Sequence, residues 1–106
     1  VFNLVENAIR YSRPGSTVSV SICDNNSRVF LRVEDRGPGI PKQYRESIFQ
    51  PFFRLDKSRS RAYGGAGLGL ALVWEIAALH SGAVEVEASS ENGTTMLATL
   101  PKRTAV

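Results

Sequence analysis

Gly64-Gly65-Ala66-Gly67-Leu68-Gly69-Leu70 is the stretch on which the reading of this chain turns. It joins a basic run, Arg54 to Tyr63, to the best helical pattern in the sequence, Leu68 to His80. Glycine opens backbone conformations closed to other residues and lets a ligand approach the main chain. A helix that begins in such a loop offers unpaired N–H groups and a partial positive charge at its first turn. Together these make an anion site, and phosphate is the usual anion. A flexible linker ahead of a helix is the alternative for any glycine run. The alternation of Gly65, Gly67 and Gly69 with leucines is unlike a linker.

The bulk properties bound the rest. The 106 residues suffice for one domain with a real core. Hydrophobic content of 42% and charged content of 22% are those of an ordinary globular chain. No apolar run approaches the roughly 20 residues that span a bilayer, and no signal-peptide pattern is present. Cys23, the single cysteine, excludes an internal disulfide and cannot alone hold zinc. The net charge of +3 resides in residues 54–61, which carry four cations and one anion. A local basic loop beside a glycine-rich turn suits a polyphosphate better than a long nucleic acid, which favours a broad basic stripe. A solvated charged loop is the alternative.

In chain order, Phe2, Val5, Ala8 and Ile9 recur at helical spacing across residues 2–11, flanked by Leu4 and Tyr11. The chain opens already in periodic pattern, as a fragment beginning at this helix would. Pro14 and Gly15 end the helix. Val18, Val20 and Ile22 alternate with polar residues, as do Val29, Leu31 and Val33 with their neighbours, and Asp24-Asn25-Asn26-Ser27 between them is a hairpin turn. Asp35 to Pro41 reads as a rigid turn, residues 42–49 as a short helix, and residues 50–67 as a long loop, of the kind that is usually a functional lid or disordered. A helix follows from about Gly67 to Ser81, with Leu68, Leu72, Ile76 and Leu79 spaced four, four and three, and with Gly82 as its left-handed cap. His80 lies in its last turn, where a helix-end role outweighs catalysis. Strands at 84–88 and 94–100, joined through Asn92-Gly93, close the domain at Pro101, and residues 102–106 read as a frayed tail. Helices and strands are segregated, which predicts an α+β two-layer sandwich with helices on one face of the sheet. The alternation of a Rossmann fold and the GxxxxGK[ST] phosphate loop are both absent.

Four motifs stand in order: Asn3 to Tyr11 resembles an N box, Asp35-Arg36-Gly37-Pro38-Gly39 a G1 box, Ile48 to Arg54 an F box, and Gly65 to Leu70 a G2 box. Together they resemble the catalytic, ATP-binding domain of bacterial sensor histidine kinases, in the superfamily that includes DNA gyrase B, Hsp90 and MutL. The resemblance covers residues 1–101 and implies a Bergerat-type fold, with a mixed sheet and a long ATP lid. It implies ATP and Mg²⁺ as cofactors. The implied partners are an upstream dimerisation domain bearing the acceptor histidine and a response-regulator receiver domain. No nucleic acid and no direct membrane contact by this chain are expected. The implied location is the cytoplasmic part of a membrane-anchored sensor.

Residue by residue, the resemblance implies that Asp35 accepts a hydrogen bond from the adenine amine. A carboxylate is acceptor-only, so guanine would set acceptor against acceptor. A turn-starting Asp is the alternative. Gly37 and Gly39 would let the backbone pass near the base, and Ile40 would line its apolar face. Asn7 is the implied Mg²⁺ ligand through its amide oxygen, and Asn3, one turn earlier, is a second candidate. Arg10 would reach the phosphates, and Tyr11 would pack near the base or serve simply as a core aromatic. Arg54 and Arg59, with Lys57 nearby, would be lid cations that neutralise charge on the γ-phosphate. Gly65, Ala66, Gly67, Leu68, Gly69 and Leu70 would wrap the triphosphate, with the leucines mostly in the core. Phe49 and Phe52 would pin the lid to the core. Thr94 would approach the base, though β-propensity also explains it.

Superfamily ATPases carry a Glu at the first N-box position, and here that position is Asn3. Glu6 neighbours Asn7, but adjacent helical residues point about 100° apart, so it is a poor substitute. A kinase acting on histidine needs no strong base, because neutral imidazole, with a pKa of about 6.5, is already nucleophilic. His80 lacks an acidic neighbour and does not read as the acceptor. The expectation is γ-phosphoryl transfer from Mg-ATP to a histidine on another domain, with a fragment that binds ATP but does not autophosphorylate alone. A superfamily ATPase and a non-catalytic nucleotide sensor are the competing readings.

Overall fold

A computed structural model of the chain describes residues 2–51 and 69–102. The expected lid and most of the G2 box, residues 52–68, and the tail from residue 103 lie outside the described residues.

Helix α1 spans Phe2–Tyr11. Strands β1 (Ser19–Asp24) and β2 (Arg28–Asp35) form the first hairpin. In its turn, Asn25 Oδ1 accepts the N–H groups of Ser27 and Arg28. The helix expected over 42–49 is instead two single 3₁₀ turns, Lys42–Tyr44 and Ser47–Phe49. Helix α2 is Gly69–Leu79. Strands β3 (Ala83–Ser90) and β4 (Gly93–Pro101) form the second hairpin. The sheet order is β1-β2-β4-β3, and every described pairing is antiparallel, where a mixed sheet was expected. Lys102, expected in a frayed tail, is tied down: its N–H donates to Ser27 O at 2.8 Å and its ammonium pairs with Asp24.

Both helices cover one face of the sheet. Leu4 and Ala8 of α1 pack with Val33, Val84, Met96 and Ala98, and with Phe49 and Ile48 from the second 3₁₀ turn. Ile9 is 62% exposed, so the packed stripe of α1 centres on Leu4 and Ala8. On α2 the stripe legible in the sequence is not the packed one: Leu72 is 50% exposed, Ile76 46% and Leu79 82%. Ala71 and Ala77 are buried, and Leu70 and Val73 are packed against the core. This helix is apolar nearly all round, so several stripes compete in the sequence. The small residues win because they let the helix axis approach its neighbours. Phe49, expected with Phe52 to pin the lid, is buried, with its ring centroid 5.4 Å from that of Trp74 on α2, and Phe52 lies outside the described residues.

The end of α2 also departs from expectation. The left-handed residue is Ser81, at φ 61°, rather than Gly82. Gly82 N–H donates to Ala77 O and Ser81 N–H to Ala78 O, the two bonds of a Schellman motif. Gly82 is required for a different reason, since a Cβ there would lie 2.3 Å from Thr99 O. Substitution therefore separates the two positions. Ser81→Gly should raise stability by about 0.5–1 kcal/mol by relieving left-handed strain. Gly82→Ala should lower it by about 2–3 kcal/mol through overpacking against backbone. Urea denaturation of the two variants measures both signs.

Candidate functional site

The site is built where the C-terminal end of α1, the turn after β2 and the β3–β4 hairpin meet. Asp35 ends β2 and pairs in register with Thr94 of β4. Its side chain is buried, 6% exposed. Oδ1 accepts Gly37 N–H at 2.9 Å and Thr94 N–H at 3.2 Å. Among the described residues Oδ2 has no hydrogen-bond partner. Burial pushes the carboxyl above its ordinary pKa, partly offset by the two backbone N–H donors.

The glycines of the turn serve close approach of backbone to backbone. A Cβ on Gly37 would lie 2.3 Å from Tyr11 O, and one on Gly39 2.2 Å from Ser90 O. Gly39 also has φ +86°. Ser12 Oγ accepts Arg36 N–H, and Arg13 N–H donates to Arg36 O, which staples α1 to the turn. Tyr11 is half-buried at this junction. Ile40 is half-buried against the core, its N–H donating to Ser89 Oγ at 2.8 Å.

At its other end α1 meets the start of α2. A Cβ on Gly69 would lie 3.9 Å from Asn3 Oδ1, so the Asn3 amide sits beside the first turn of α2. The first turn of a helix offers N–H groups and a partial positive charge to an anion, and this helix runs eleven residues from Gly69 to Leu79. Leu70 belongs to the core side of the same turn. Residues 3 to 11 of α1 bridge the two ends over about 12 Å of helix, and Asn7 lies between, half-buried. Arg10 is held by Glu6, Nη2 to Oε1 at 3.3 Å, on a partly exposed surface. Thus Asp35, Gly37, Gly39, Ile40, Tyr11 and Thr94 gather at one end of α1, and Asn3, Gly69 and Leu70 at the other. Arg54, Lys57, Arg59, Gly65, Ala66, Gly67 and Leu68 lie outside the described residues.

The donor set fits Mg²⁺ of the phosphate-bound kind. Asn3 and Asn7 offer amide oxygens one turn apart, and Mg²⁺ takes oxygen ligands while keeping waters. Among the described residues no cluster of three His, Cys, Asp or Glu could hold a metal by itself, so phosphates and water would have to complete the shell.

Two residues enter the site without any motif in the sequence. Ser89 bridges Ile40 and Thr94, and Arg45 donates to Ile40 O and Ser89 O, each at 3.2 Å. Nothing local marks them, because their partners are set by the pairing of distant strands.

Comparison with known proteins addresses this arrangement. The sequence model of the family described as histidine kinase-, DNA gyrase B- and HSP90-like ATPase matches residues 1–104. The chain belongs to this family. It is 44% identical over 102 residues to the sensor-like histidine kinase SenX3 of Mycolicibacterium smegmatis, covering 96% of this chain and 27% of that protein. It is 50% identical over 91 residues to the sensor protein RstB of Escherichia coli, covering 86% of this chain and 21% of that protein. The structure of the mycobacterial sensor histidine kinase MprB matches with a TM-score of 0.82 at 35% identity, over 99% of this chain and 69% of that one. Full-length ShkA in complex with AMPPNP matches at 0.80 and 31% identity, over 98% of this chain and 21% of that one. The chain spans about a quarter of the length of the curated relatives it matches. It is accordingly an ATP-binding domain of the histidine-kinase type within the HATPase family.

Proposed function

We propose that this domain binds Mg-ATP with its adenine at Asp35 and its phosphates at the start of α2, and delivers the γ-phosphoryl group to a histidine on a separate domain. The observation that carries the reading is the half-satisfied Asp35 carboxylate. A buried acceptor without a donor is costly, and the adenine amine supplies one. The span of α1 supports the rest: the Asp35 turn and the start of α2 lie at its two ends, with Asn3 beside α2 and Asn7 between them.

In this reading Asn7, seconded by Asn3, holds the Mg²⁺, which supplies charge neutralisation to the phosphates when bound. The first-turn N–H groups of α2 and the glycines before it cradle the phosphate oxygens. Arg54 and Arg59 of the lid, with Lys57, offset charge that develops as the γ-phosphorus–oxygen bond breaks and ADP departs. Arg10 leaves Glu6 to reach the phosphates. The acceptor imidazole forms the new nitrogen–phosphorus bond and releases its proton to solvent. Positioning and electrostatics carry most of the rate. The phosphohistidine then serves a response-regulator receiver domain, in the cytoplasm where ATP is available. A hydrolytic ATPase is disfavoured by Asn3, which stands where superfamily ATPases carry their hydrolytic Glu.

The test is transfer in trans. The full chain, mixed with the dimerisation and phosphoacceptor domain of its own kinase and labelled Mg-ATP, should yield acid-labile phosphohistidine on that domain and none on itself. Asn7→Asp should cut the yield at least about tenfold by adding charge beside a polyanion. Steady phosphate release in place of phosphohistidine would overturn the kinase assignment.

A further inference from the structure

A bulge in β3 determines which side of the sheet Ser89 faces. The strand pairs regularly with β4 from Ala83↔Thr99 to Val86↔Met96, then shifts so that Ala88 meets Thr95 and Ser89 meets Thr94. Glu87 is the extra residue. Val84 is buried and Val86 packs against the same core beneath the helices. Under strict alternation Ala88 would follow them and Ser89 would point away. The bulge reverses the phase and turns Ser89 to the side of Thr94 and Asp35. Glu87 is pinned on the opposite face, where Arg32 holds its carboxylate by Nε at 2.7 Å and Nη2 at 2.9 Å.

Ser89 then completes a chain of bonds. Ile40 N–H donates to Ser89 Oγ at 2.8 Å, and Ser89 Oγ lies 2.8 Å from Thr94 Oγ1. Thr94 N–H donates to Asp35 Oδ1. A hydroxyl has one proton and two acceptor sites. Accepting from Ile40 polarises the Ser89 O–H toward donation, and hydrogen bonds in a chain strengthen one another. Thr94 is the hydroxyl within reach; either could donate across the contact, and donation by Ser89 would leave Thr94 with its own proton to give. Thr94 is buried, 4% exposed, and its proton has no acceptor among the described residues other than Ser89. Arg45 clamps the carbonyls of Ile40 and Ser89 and holds both ends of the bridge.

We propose that Ser89 is a positioning residue that orients the Thr94 hydroxyl as a donor beside the Asp35 acceptor, giving the site a donor–acceptor pair that matches adenine and opposes guanine. Adenine presents an acceptor at N1 and a donor at its amine. Guanine presents the reverse, a donor at N1 and an acceptor at its carbonyl. Both contacts fail together for guanine, and the second contact depends on Ser89. This rests on the placement of adenine at Asp35.

The experiment is calorimetric titration of the full chain with the Mg complexes of ATP, GTP and 1-deaza-ATP, which lacks the N1 acceptor. Wild type, Ser89→Ala, Ser89→Thr and Asp35→Asn are compared. Wild type should bind 1-deaza-ATP about tenfold more weakly than ATP, the ordinary worth of one hydrogen bond. In Ser89→Ala that penalty should fall to about twofold and the preference for ATP over GTP should narrow, because the Thr94 proton is no longer directed. Ser89→Thr, which keeps the hydroxyl, should restore the penalty. A role in folding alone would lower affinity for all three ligands equally and leave the penalty intact, which would overturn the proposal. Equal binding of ATP and 1-deaza-ATP by wild type would also overturn it, and this comparison decides even if Ser89→Ala fails to fold. Wild-type ATP affinity in Asp35→Asn would instead sink the adenine placement itself.

Discussion

Asp35→Asn is expected to weaken Mg-ATP binding about 100-fold while leaving the domain folded. The asparagine carbonyl can still accept the N–H groups of Gly37 and Thr94, which both go to Oδ1. What changes is the other atom, where an acceptor becomes an NH₂ donor facing the donor amine of adenine. A hydrogen bond to a charged group is lost and a clash of like groups replaces it, so the cost exceeds that of simple deletion. The preference for ATP over GTP should collapse with it, since an NH₂ can serve the guanine carbonyl. Stability should respond in the opposite sense. The folded-state pKa of Asp35 is raised, chiefly by burial. The native state therefore holds this proton more firmly than the unfolded chain does. The stability it contributes is fully present below the ordinary carboxylate pKa and is lost as pH rises through the raised native value. Asparagine has no such slope. Without nucleotide, the variant should lie within about 1 kcal/mol of wild type near neutral pH, its relative stability improving as pH rises through that window. Thermal melts across the acidic range, paired with titrations of Mg-ATP, check both arms. A variant that binds ATP like wild type would place the base elsewhere.

How much of this was legible in the sequence depends on the range of the interactions that decide each feature. The Asp35 turn was readable because its requirements are local: Asp35 caps Gly37 N–H two residues on. The hairpins were readable because alternation and turn residues specify them. The packed face of α2 was not, because Leu72, Ile76 and Leu79 compete with Ala71 and Ala77 on a helix with little polar contrast. Hydrophobicity favoured the leucines, and close approach favoured the alanines. The left-handed residue after α2 was misplaced by one position, since Gly82 is demanded by the Thr99 carbonyl and leaves Ser81 to take the strained conformation. Glu87 gives no local sign of a bulge, neither glycine nor proline, and its partner Arg32 lies 55 residues away in sequence. Ser89 and Arg45 became visible only once that bulge fixed the phase of β3. The pairing of β2 with β4, antiparallel like the two hairpins, came instead from tertiary contacts rather than from any one segment.

Gly93→Ala should be the most destabilising single-methyl addition among the described glycines, and it should reach the nucleotide site. Gly93 opens β4 at φ +146°, a conformation L side chains rarely adopt, and a Cβ there would stand 2.1 Å from Asp35 O and 3.1 Å from its carbonyl carbon. The clash is with main chain on a paired strand, so no side chain can move aside. Either β4 shifts against β2, or the Asp35 peptide moves and takes with it the carboxylate and its bond to Thr94 N–H. Backbone strain and overpacking together amount to roughly 4 kcal/mol, a large share of the 5–15 kcal/mol that holds a domain folded. For about 100 residues this corresponds to a fall in melting temperature of roughly 15 °C or more. Gly15→Ala is the control. Gly15 also has a positive φ, +80°, but nothing lies within 4 Å of its would-be Cβ. Left-handed strain alone should cost it about 1 kcal/mol. If the two variants melted together, conformation would explain both, and the contact with Asp35 would carry no weight. If Gly93→Ala falls far below Gly15→Ala, its ATP affinity under folding conditions should fall too, while that of Gly15→Ala stays at the wild-type value. The close approach of Gly93 to Asp35 would then be what holds the carboxylate in register with Thr94, making the glycine part of the nucleotide site through the backbone alone.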